Sequence, residues 1–163
     1  MEILIIGGTV FLGRALVEAA TACGHRLTLF NRGQTNSDLF PEVEKLRGNR
    51  DGDLSALTNR HWDAVVDTCG YLPRIVRQSV NALKNSVERY VFISSLSVYS
   101  DIRNAGVDEN GELGTLEDET TETITGDTYG PLKVLCEKEV QKVFGDRALI
   151  IRPGLIVGQN DTT

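Results

Sequence analysis

The stretch that decides the fold is Ile3-Leu4-Ile5-Ile6-Gly7-Gly8-Thr9-Val10-Phe11-Leu12-Gly13. Four apolar residues lead into a glycine-bounded turn, and the helical pattern Arg14-Ala15-Leu16-Val17-Glu18-Ala19-Ala20 follows it. A strand, a glycine turn and a helix in this order form the entrance to a dinucleotide-binding fold. Such a turn directs backbone N–H groups and the positive helix end at a pyrophosphate. The residues expected to bind the cofactor here are Gly7, Thr9, Val10, Phe11, Leu12 and Gly13.

The usual spacing of such loops, G-x-x-G-x-x-G, is broken at its middle position by Val10. Valine adopts a positive φ only at a cost, so we expect Val10 in an ordinary backbone conformation with its side chain away from the phosphates. Gly7 and Gly13 then supply the two outer positions. The alternative is a merely structural turn between a strand and a helix.

Apolar runs and helical patterns alternate along the chain. Continuous runs such as Val65-Val66 and Leu149-Ile150-Ile151 suit strands covered on both faces, as in a parallel sheet. The predicted strands are Glu2–Ile6, Arg26–Asn31, Val43–Arg47, Ala64–Asp67, Tyr90–Ser94 and Ala148–Arg152. The predicted helices are Leu12–Cys23, a short one near Leu54–Asn59, Ile75–Asn85 and Tyr129–Phe144. The pattern predicts an α/β fold, a doubly wound parallel Rossmann-type sheet with strand order 3-2-1-4-5-6.

The composition is typical of one globular domain. The 163 residues are 40% hydrophobic and 25% charged. No apolar stretch approaches the roughly 20 residues of a membrane helix. A predicted strand from Glu2 leaves no place for a leader peptide, so we expect a cytoplasmic protein with no membrane partner. The cysteines lack metal-ligand spacing, so we expect reduced structural thiols and no metal site; they are Cys23, Cys69 and Cys136.

Negative charge is concentrated in one segment. Nine acidic residues and one basic residue, Arg103, lie between Asp101 and Asp127, and the net charge of the chain is −6. Because a polyanion would be repelled, we expect no nucleic-acid partner. The acidic segment, at about residues 100–128, has little periodicity, which predicts a solvated surface loop, a functional lid or a disordered segment. The sequence leaves the oligomeric state open, a homo-oligomer included.

The end of the second predicted strand bears on the choice of cofactor. An acidic residue there normally binds the adenosine ribose hydroxyls, but this strand ends Leu29-Phe30-Asn31-Arg32-Gly33. With Asn31 in place of an acid, a 2′-phosphate is not repelled, and Arg32 could pair with it. We therefore expect NADP as the cofactor in preference to NAD. The alternative is a solvated arginine at a strand end.

Two further groups of residues should lie along the same edge of the sheet. Asp53 and Leu54 follow the third predicted strand, where Asp53 could meet the adenine amino group or cap a helix. Thr68, Cys69 and Gly70 end the fourth strand, where a cofactor should cross the sheet.

A run of hydroxyls follows the fifth predicted strand, in Ile93-Ser94-Ser95-Leu96-Ser97-Val98-Tyr99, at the edge where ligands bind in open α/β sheets. Tyr129 and Lys133 lie one turn apart on a predicted helix whose first turn should hold Pro131. A tyrosine is a poor base near neutral pH unless a neighbouring cation stabilises the phenolate, as Lys133 could. The alternative is a chance Tyr-x-x-x-Lys on a surface helix.

These motifs resemble the short-chain dehydrogenase/reductase superfamily, specifically its extended and atypical branch, the NAD-dependent epimerase/dehydratase-like proteins. The resemblance includes Arg152-Pro153-Gly154-Leu155-Ile156-Val157-Gly158 near the end of the chain. It implies that Ser95 holds the substrate oxygen, that Tyr129 is the catalytic acid/base, and that Lys133 binds the nicotinamide ribose. It further implies that Pro153 lines the cofactor cleft.

The resemblance implies a nicotinamide-dependent oxidoreductase or epimerase/dehydratase that acts on a secondary alcohol or ketone of a small molecule, such as a sugar nucleotide. A reductase is slightly favoured, because the expected NADP preference suits net reduction. The alternative is a non-catalytic dinucleotide-binding module, either a cofactor sensor or an RNA-associated protein. Some chloroplast stem-loop-binding proteins carry a similar G-G-T-x-F-x-G loop.

Members of this family continue into a smaller C-terminal domain that closes over the substrate, whereas this sequence stops at Thr163. We expect residues 1–163 to be one NAD(P)-binding domain without its substrate-binding domain, rather than a natural short form. The chain alone is then expected to be inactive. The apolar run Leu155-Ile156-Val157 should be under-packed.

Overall fold

A computed structural model describes residues 1–101, 103 and 106–161 of the chain. The predicted acidic segment, residues 100–128, and the predicted domain, residues 1–163, both include positions outside these described residues. The described strands and α-helices follow one another in this order: β1 (Glu2–Ile6), α1 (Phe11–Ala22), β2 (Arg26–Asn31), β3 (Glu44–Arg47), β4 (Trp62–Asp67), α2 (Pro73–Leu83), β5 (Val87–Ile93), α3 (Gly126–Phe144) and β6 (Ala148–Ile151).

The strands form one parallel sheet in the order β3-β2-β1-β4-β5-β6, which confirms the predicted topology. Its register places Ile6 beside Asp67, and Asp67 beside Phe92. Because all strands run the same way, their carboxyl ends meet at one edge, where the chain order reverses between β1 and β4. The glycine turn after β1 and the hydroxyl-rich segment after β5 therefore both lie at that edge.

Two apolar layers hold the sheet between helices. On one face, Tyr90 and Phe92 are buried with residues of α2 and α3, such as Val80 and Val140, in the larger cluster. On the other face, Val17 of α1 packs with residues of β1 and β2 in a smaller cluster. Alternate residues of a strand point to opposite layers, so the apolar run of β1 is buried on both sides, with Leu4 and Ile6 in the larger cluster and Ile5 in the smaller one.

The short helix predicted near Leu54–Asn59 is present only as one turn of 3₁₀ helix, Ser55–Leu57. The turn stops because Thr58 is extended and Asn59 has a positive φ of 59°, which ends helical hydrogen bonding.

Helix α3 begins earlier than the predicted Tyr129. Thr125 and Thr128 form a capping box that starts the helix at Gly126. Pro131 consequently lies inside the helix rather than in its first turn, so that expectation is wrong. The hydroxyl pattern Thr-x-x-Thr carries the true start signal, and the sequence analysis passed over it.

The described part of the acidic segment contacts both the hydroxyl-rich segment after β5 and helix α2. Tyr99 and Leu113 form an isolated antiparallel bridge, and Gly114 N donates to Val98 O at 2.8 Å. Farther along, Glu122 accepts two hydrogen bonds from Arg74 of α2, the shorter at 2.6 Å. Most of its other acidic side chains are exposed, as expected of a solvated surface loop.

Strand β6 and the segment after it leave apolar side chains in solvent. Ala148 and Ile150 pack against the larger cluster, so Leu149 and Ile151 face the opposite side of the sheet, where both are exposed. Leu155 is 100% exposed and Val157 is 82% exposed. The expectation that this run is under-packed is confirmed.

We expect the 163-residue chain to self-associate through these side chains, because contiguous exposed apolar surface favours association in water. The double variant Leu155→Ser/Val157→Ser should shift the chain toward monomer in sedimentation-velocity runs over a range of concentrations. Gln159→Ser, an exposed polar change in the same segment, serves as the control. A wild-type chain that stays monomeric at the highest concentration would contradict the expectation.

Candidate cofactor and catalytic site

The glycine turn between β1 and α1 is built from two positive-φ glycines and one close approach. Gly7 has a φ of 107° and Gly8 a φ of 91°, which only glycine adopts without strain. A Cβ on Gly13 would lie 2.9 Å from Gly8 N, so the helix packs directly on the turn. Val10 is extended, with φ −131° and ψ 140°, as predicted. Gly8 is the turn residue that the sequence analysis left out of the site.

The turn opens into a cleft of about 710 Å³ at the carboxyl edge of the sheet. Residues from the glycine turn, from the ends of β2, β3 and β4, and from the start of α2 line it. The sequence-predicted residues that line it are Gly7, Thr9, Val10, Phe11, Leu12, Gly13, Asn31, Arg32, Thr68 and Cys69. Cofactor-binding residues predicted from distant parts of the chain are thus gathered around one cavity.

Asn31, at the end of β2, ties its strand to the glycine turn. Its Nδ2 donates to Gly7 O at 3.0 Å, while its Oδ1 accepts from Gly33 N at 2.9 Å and from the Arg47 guanidinium. The side-chain amide is therefore occupied by the protein itself. Asn31 is part of the wall of the cleft.

Two guanidinium groups flank Asn31. Arg32 is exposed and lines the cleft, and within the described ranges it forms no hydrogen bond or ion pair. Arg47, at the end of β3, packs beside Gly33 while one of its nitrogens binds Asn31. The sequence analysis singled out Arg32 but not Arg47, because only the pairing of β2 with β3 brings Arg47 to this wall.

A buried ion pair supports the wall from below. Arg50 and Asp67 are joined by two hydrogen bonds of 2.8 and 2.7 Å, and Tyr90 Oη donates to Asp67 at 2.8 Å. Burial opposes ionisation of the Asp67 carboxyl, but the charge and hydrogen bonds of Arg50 outweigh it and hold the pKa below its ordinary value. Arg50 lines the cleft and also contacts Ser79 of α2, so the pair joins three elements.

Thr68 and Cys69, predicted after β4, are among the described residues that line the cleft, whereas the residues predicted after β3 are not. Thr68 and Cys69 both contact Ile6 O, through Thr68 Oγ1 at 2.9 Å and Cys69 Sγ at 3.6 Å. Burial raises the pKa of the Cys69 thiol, so it stays protonated near neutral pH. Asp53 accepts from the Ser55 backbone N–H and from the Ser55 hydroxyl just before the 3₁₀ turn, whose N-cap is Leu54 without a side-chain cap bond. Among the described residues that line the cleft, neither Asp53 nor Leu54 is found.

Lys133 lies at the carboxyl ends of two strands. Its Nζ donates to Gly70 O, just after β4, and to Ile93 O, at the end of β5, both at 2.7 Å. The side chain is 2% exposed, and its Nζ is 4.2 Å from the centroid of the Phe92 ring. Burial lowers the pKa of this ammonium group. Lys133 thus holds α3 against the sheet edge through charge-assisted hydrogen bonds.

Helix α3 approaches the hydroxyl-rich segment very closely. A Cβ on Gly130 would lie 1.9 Å from Ser97 O, so only glycine permits this contact. Ser95 Oγ accepts from Ser97 N at 3.1 Å and caps the 3₁₀ helix Leu96–Val98. Gly130 is flanked by Tyr129, so the contact sets Tyr129 beside the Ser95 turn. Gly130 is a site-shaping residue that periodicity alone does not reveal.

The chain after β6 fastens to the same turn. Pro153 O accepts from Leu96 N at 2.8 Å, which places Pro153 next to Ser95 rather than among the residues that line the cleft. Arg152 forms two hydrogen bonds with Glu137 of α3, at 3.0 and 2.7 Å, and a third with Tyr99 Oη at 2.9 Å. These contacts hold β6, α3 and the hydroxyl-rich segment in one arrangement.

Tyr71 is a further residue that the sequence analysis did not single out. It follows the predicted Thr68-Cys69-Gly70 group and lines the cleft. Its ring centroid is 6.4 Å from that of Tyr129 and 5.6 Å from Lys133 Nζ. The sequence offered one signal for it, an aromatic residue just after a strand that ends at the ligand-binding edge.

Two curated relatives match the chain in sequence. The 41-kDa chloroplast stem-loop binding protein b of Arabidopsis thaliana is 34% identical over 119 residues, which are 62% of this chain and 31% of that protein. A 3 beta-hydroxysteroid dehydrogenase/Delta 5-->4-isomerase of Mycobacterium tuberculosis is 29% identical over 188 residues, 99% of this chain and 49% of that protein. The chain thus spans about a third to a half of these relatives. No protein-family model matches it.

Solved structures share the fold at low sequence identity. WbmH of Bordetella bronchiseptica, in complex with NAD⁺, has a TM-score of 0.78 and 16% identity over 99% of this chain and 58% of its own. A UDP-galactose 4-epimerase has a TM-score of 0.73 and 20% identity, and the match covers 93% of this chain and 55% of the epimerase. A short-chain dehydrogenase/reductase protein of Agrobacterium tumefaciens, with bound NAD, has a TM-score of 0.73 and 22% identity. The match covers 93% of this chain and 48% of that protein.

The chain therefore shares the parallel α/β fold of these solved structures, which include a short-chain dehydrogenase/reductase protein and an epimerase. The resemblance expected from the motifs is confirmed at this level. None of the helices in the described part of the chain is both long enough and apolar enough to cross a membrane.

We expect Asp67→Ala to lower the free energy of unfolding by about 3–5 kcal/mol at pH 7, because Arg50 would remain buried without its counter-ion. The folded pKa of Asp67 lies below its unfolded value of about 3.9. The pair's contribution is therefore complete above that value and is lost as the pH falls through the folded pKa. Urea denaturation at pH 7 and at a series of lower pH values measures both effects.

The matched control is Asp38→Ala, which removes an exposed carboxylate outside the cleft. A loss of stability no greater than that of the control, or a difference between wild type and Asp67→Ala that does not shrink in acid, would refute the assignment.

Proposed function

We propose that this chain is the cofactor-binding domain of a nicotinamide-dependent oxidoreductase or epimerase/dehydratase that acts on a secondary alcohol or ketone of a small molecule. The observations that carry the proposal are that Lys133 binds carbonyl groups at the ends of β4 and β5, and that Gly130, next to Tyr129, packs on Ser97 in the turn that holds Ser95. A hydroxyl, a phenol and an ammonium group together can bind a substrate oxygen and move its proton.

The residues around the cleft fit a dinucleotide. The glycine turn and the amino end of α1 suit a pyrophosphate, since backbone N–H groups there lack helical partners. Arg32 is free to meet an anion at the adenosine end. Bound nicotinamide supplies a hydride donor or acceptor.

Each polar residue at the other end of the cleft has its own task. Ser95 would orient the substrate oxygen, and Tyr129 would hold or transfer its proton. Lys133 would bind the ribose through its buried ammonium group. Two of the three N–H groups of Lys133 are engaged by Gly70 O and Ile93 O, which leaves the third for a ligand.

The cleft favours NADP over NAD. No acidic residue stands at the end of β2 to repel a 2′-phosphate, because Asn31 occupies that position and its amide is engaged by the protein. Arg32 lines the cleft and is unpaired among the described residues, and Arg47 holds a second guanidinium on Asn31, the neighbour of Arg32 in sequence. Paired guanidinium groups suit a doubly charged phosphate better than a ribose hydroxyl.

The relatives suggest which substrates to test first. A UDP-galactose 4-epimerase and a 3 beta-hydroxysteroid dehydrogenase both resemble this chain. We therefore take UDP-galactose and a 3β-hydroxysteroid as the initial probes of substrate class.

An RNA-associated module is the second candidate, and one observation favours it: the 34% identity to a chloroplast stem-loop binding protein. The negative net charge of −6 argues against a polyanionic ligand. The convergence of Ser95, Tyr129 and Lys133 also goes beyond what a pure binding module requires.

We expect the chain to bind NADPH more tightly than NADH, and we expect Arg32→Ala to remove most of that difference. A bidentate arginine–phosphate contact contributes about 1.5–3 kcal/mol, or roughly 10- to 150-fold in affinity. Titration calorimetry on wild type, Arg32→Ala and Arg32→Ala/Arg47→Ala measures the effect. Arg26→Ala, an exposed arginine at the opposite end of β2, is the control. Equal wild-type affinities for the two cofactors would overturn the NADP assignment.

We expect Tyr129→Phe to abolish turnover but to leave NADPH affinity within about twofold. The variant is made in the longest protein that contains this chain. The variant loses only a hydroxyl that moves a proton. Lys133→Ala should lower both turnover and NADPH affinity, because the ammonium group also binds carbonyl groups at the ends of β4 and β5. NADPH consumption or formation with the two probe substrates gives turnover, and fluorescence titration gives affinity. A Tyr129→Phe protein that retains most of its turnover would show that another group transfers the proton.

A further inference from the structure

Tyr71 occupies an unusual place in the cleft wall. It lies between β4 and α2, and its side chain is 47% exposed although it is aromatic. Within the part of the chain that the structure describes, its hydroxyl forms no hydrogen bond. The ring therefore adds little to the core and leaves both an aromatic surface and a hydroxyl open to the cleft that it lines.

The backbone on both sides of Tyr71 is held in place. Lys133 Nζ binds Gly70 O at 2.7 Å, and a Cβ on Gly70 would lie 2.4 Å from the Phe92 ring, so the chain is packed tightly just before Tyr71. Just after it, Leu72 is extended and Pro73 begins α2. A ring on such a fixed segment can bind a ligand at a small entropic cost.

The position of Tyr71 along the sheet edge identifies the half of the cofactor that it can meet. The glycine turn after β1 suits the pyrophosphate, and the end of β2 suits the adenosine half. The remaining half must then extend the other way, past the end of β4, toward Ser95 and Tyr129 near β5. Tyr71 follows β4, and its ring is 6.4 Å from that of Tyr129 and 5.6 Å from Lys133 Nζ.

The chemistry of the side chain suits packing rather than proton transfer. Burial, together with nearby Cys69 and Tyr129, raises the pKa of Tyr71 above its ordinary value. The phenol therefore stays neutral near physiological pH, when it can offer a ring face and donate a hydrogen bond.

We propose that Tyr71 is a positioning residue whose ring packs against the nicotinamide half of the cofactor and holds the reacting ring beside Tyr129. This inference rests on the proposed function, because it assumes that a nicotinamide dinucleotide occupies the cleft. It adds a residue between the glycine turn and the catalytic tyrosine.

Two ligands separate this role from a structural one. NADPH contains both halves of the cofactor, whereas adenosine 2′,5′-bisphosphate contains only the adenosine half. We expect Tyr71→Ala to weaken NADPH binding about tenfold and to leave binding of the bisphosphate within about twofold. Tyr71→Phe, which keeps the ring, should bind NADPH nearly as tightly as wild type.

Fluorescence titration measures NADPH affinity, calorimetry measures bisphosphate affinity, and thermal unfolding checks each variant. Tyr71→Leu keeps apolar bulk without a flat ring, and it replaces Tyr71→Ala if that variant fails to fold. A wild-type chain that binds neither ligand refutes the proposed function itself. If the wild type binds both ligands and Tyr71→Ala binds each as tightly as the wild type, the role of Tyr71 is refuted. The same holds if Tyr71→Ala loses affinity for both ligands equally. Either result leaves the proposed function in place.

Discussion

The ion pair between Arg50 and Asp67 is buried where the sheet changes direction, and the walls of the cleft depend on it. Asp67 ends β4 beside β1 and is fully buried, so its charge would be prohibitively costly without Arg50. Arg50 arrives from the turn after β3, at the far side of the sheet, and brings that turn over the carboxyl edge. The pair also contacts Tyr90 in β5 and Ser79 in α2. One charge pair thus joins the turn after β3 to β4, β5 and α2.

The catalytic side is assembled by close approach and by a second buried cation. Gly130 allows α3 to touch Ser97, and Lys133, one turn later, binds carbonyl groups at the ends of β4 and β5. Because both contacts come from the same face of α3, the position of Tyr129 is set by packing that exists before any ligand binds. A site arranged in advance needs less reorganisation when charge develops during a reaction. The same residues that stabilise the sheet edge therefore also prepare its chemistry.

The polar walls of the cleft are held by hydrogen bonds within the protein, whereas the apolar side chains of β6 are not all buried. Around the cleft, side chains such as Asn31 and Thr68 are engaged by neighbouring backbone groups, so the walls are ordered by the protein itself. Along β6, by contrast, Leu149 and Ile151 face solvent from a parallel strand. A parallel sheet is normally covered on both faces, because its strands are apolar on both sides. The residues that line the cleft are thus held by the protein's own hydrogen bonds, whereas one face of β6 leaves apolar side chains exposed.

The sequence by itself determined the order of strands and helices, the glycine turn and the one-turn spacing of Tyr129 and Lys133, because periodicity, glycine and spacing act over short distances along the chain. The proposed role of Ser95 came from the family resemblance. It did not reveal the capping box that starts α3 at Gly126, since a Thr-x-x-Thr signal is weaker than the usual one ending in an acid or amide. Only the tertiary structure decided that Arg50 pairs with Asp67 and that Arg47 reaches Asn31. It also decided that Tyr71 stands beside Tyr129. These contacts join residues on different elements, so they arise from the packing of the sheet and helices, and a local sequence pattern holds no record of that packing.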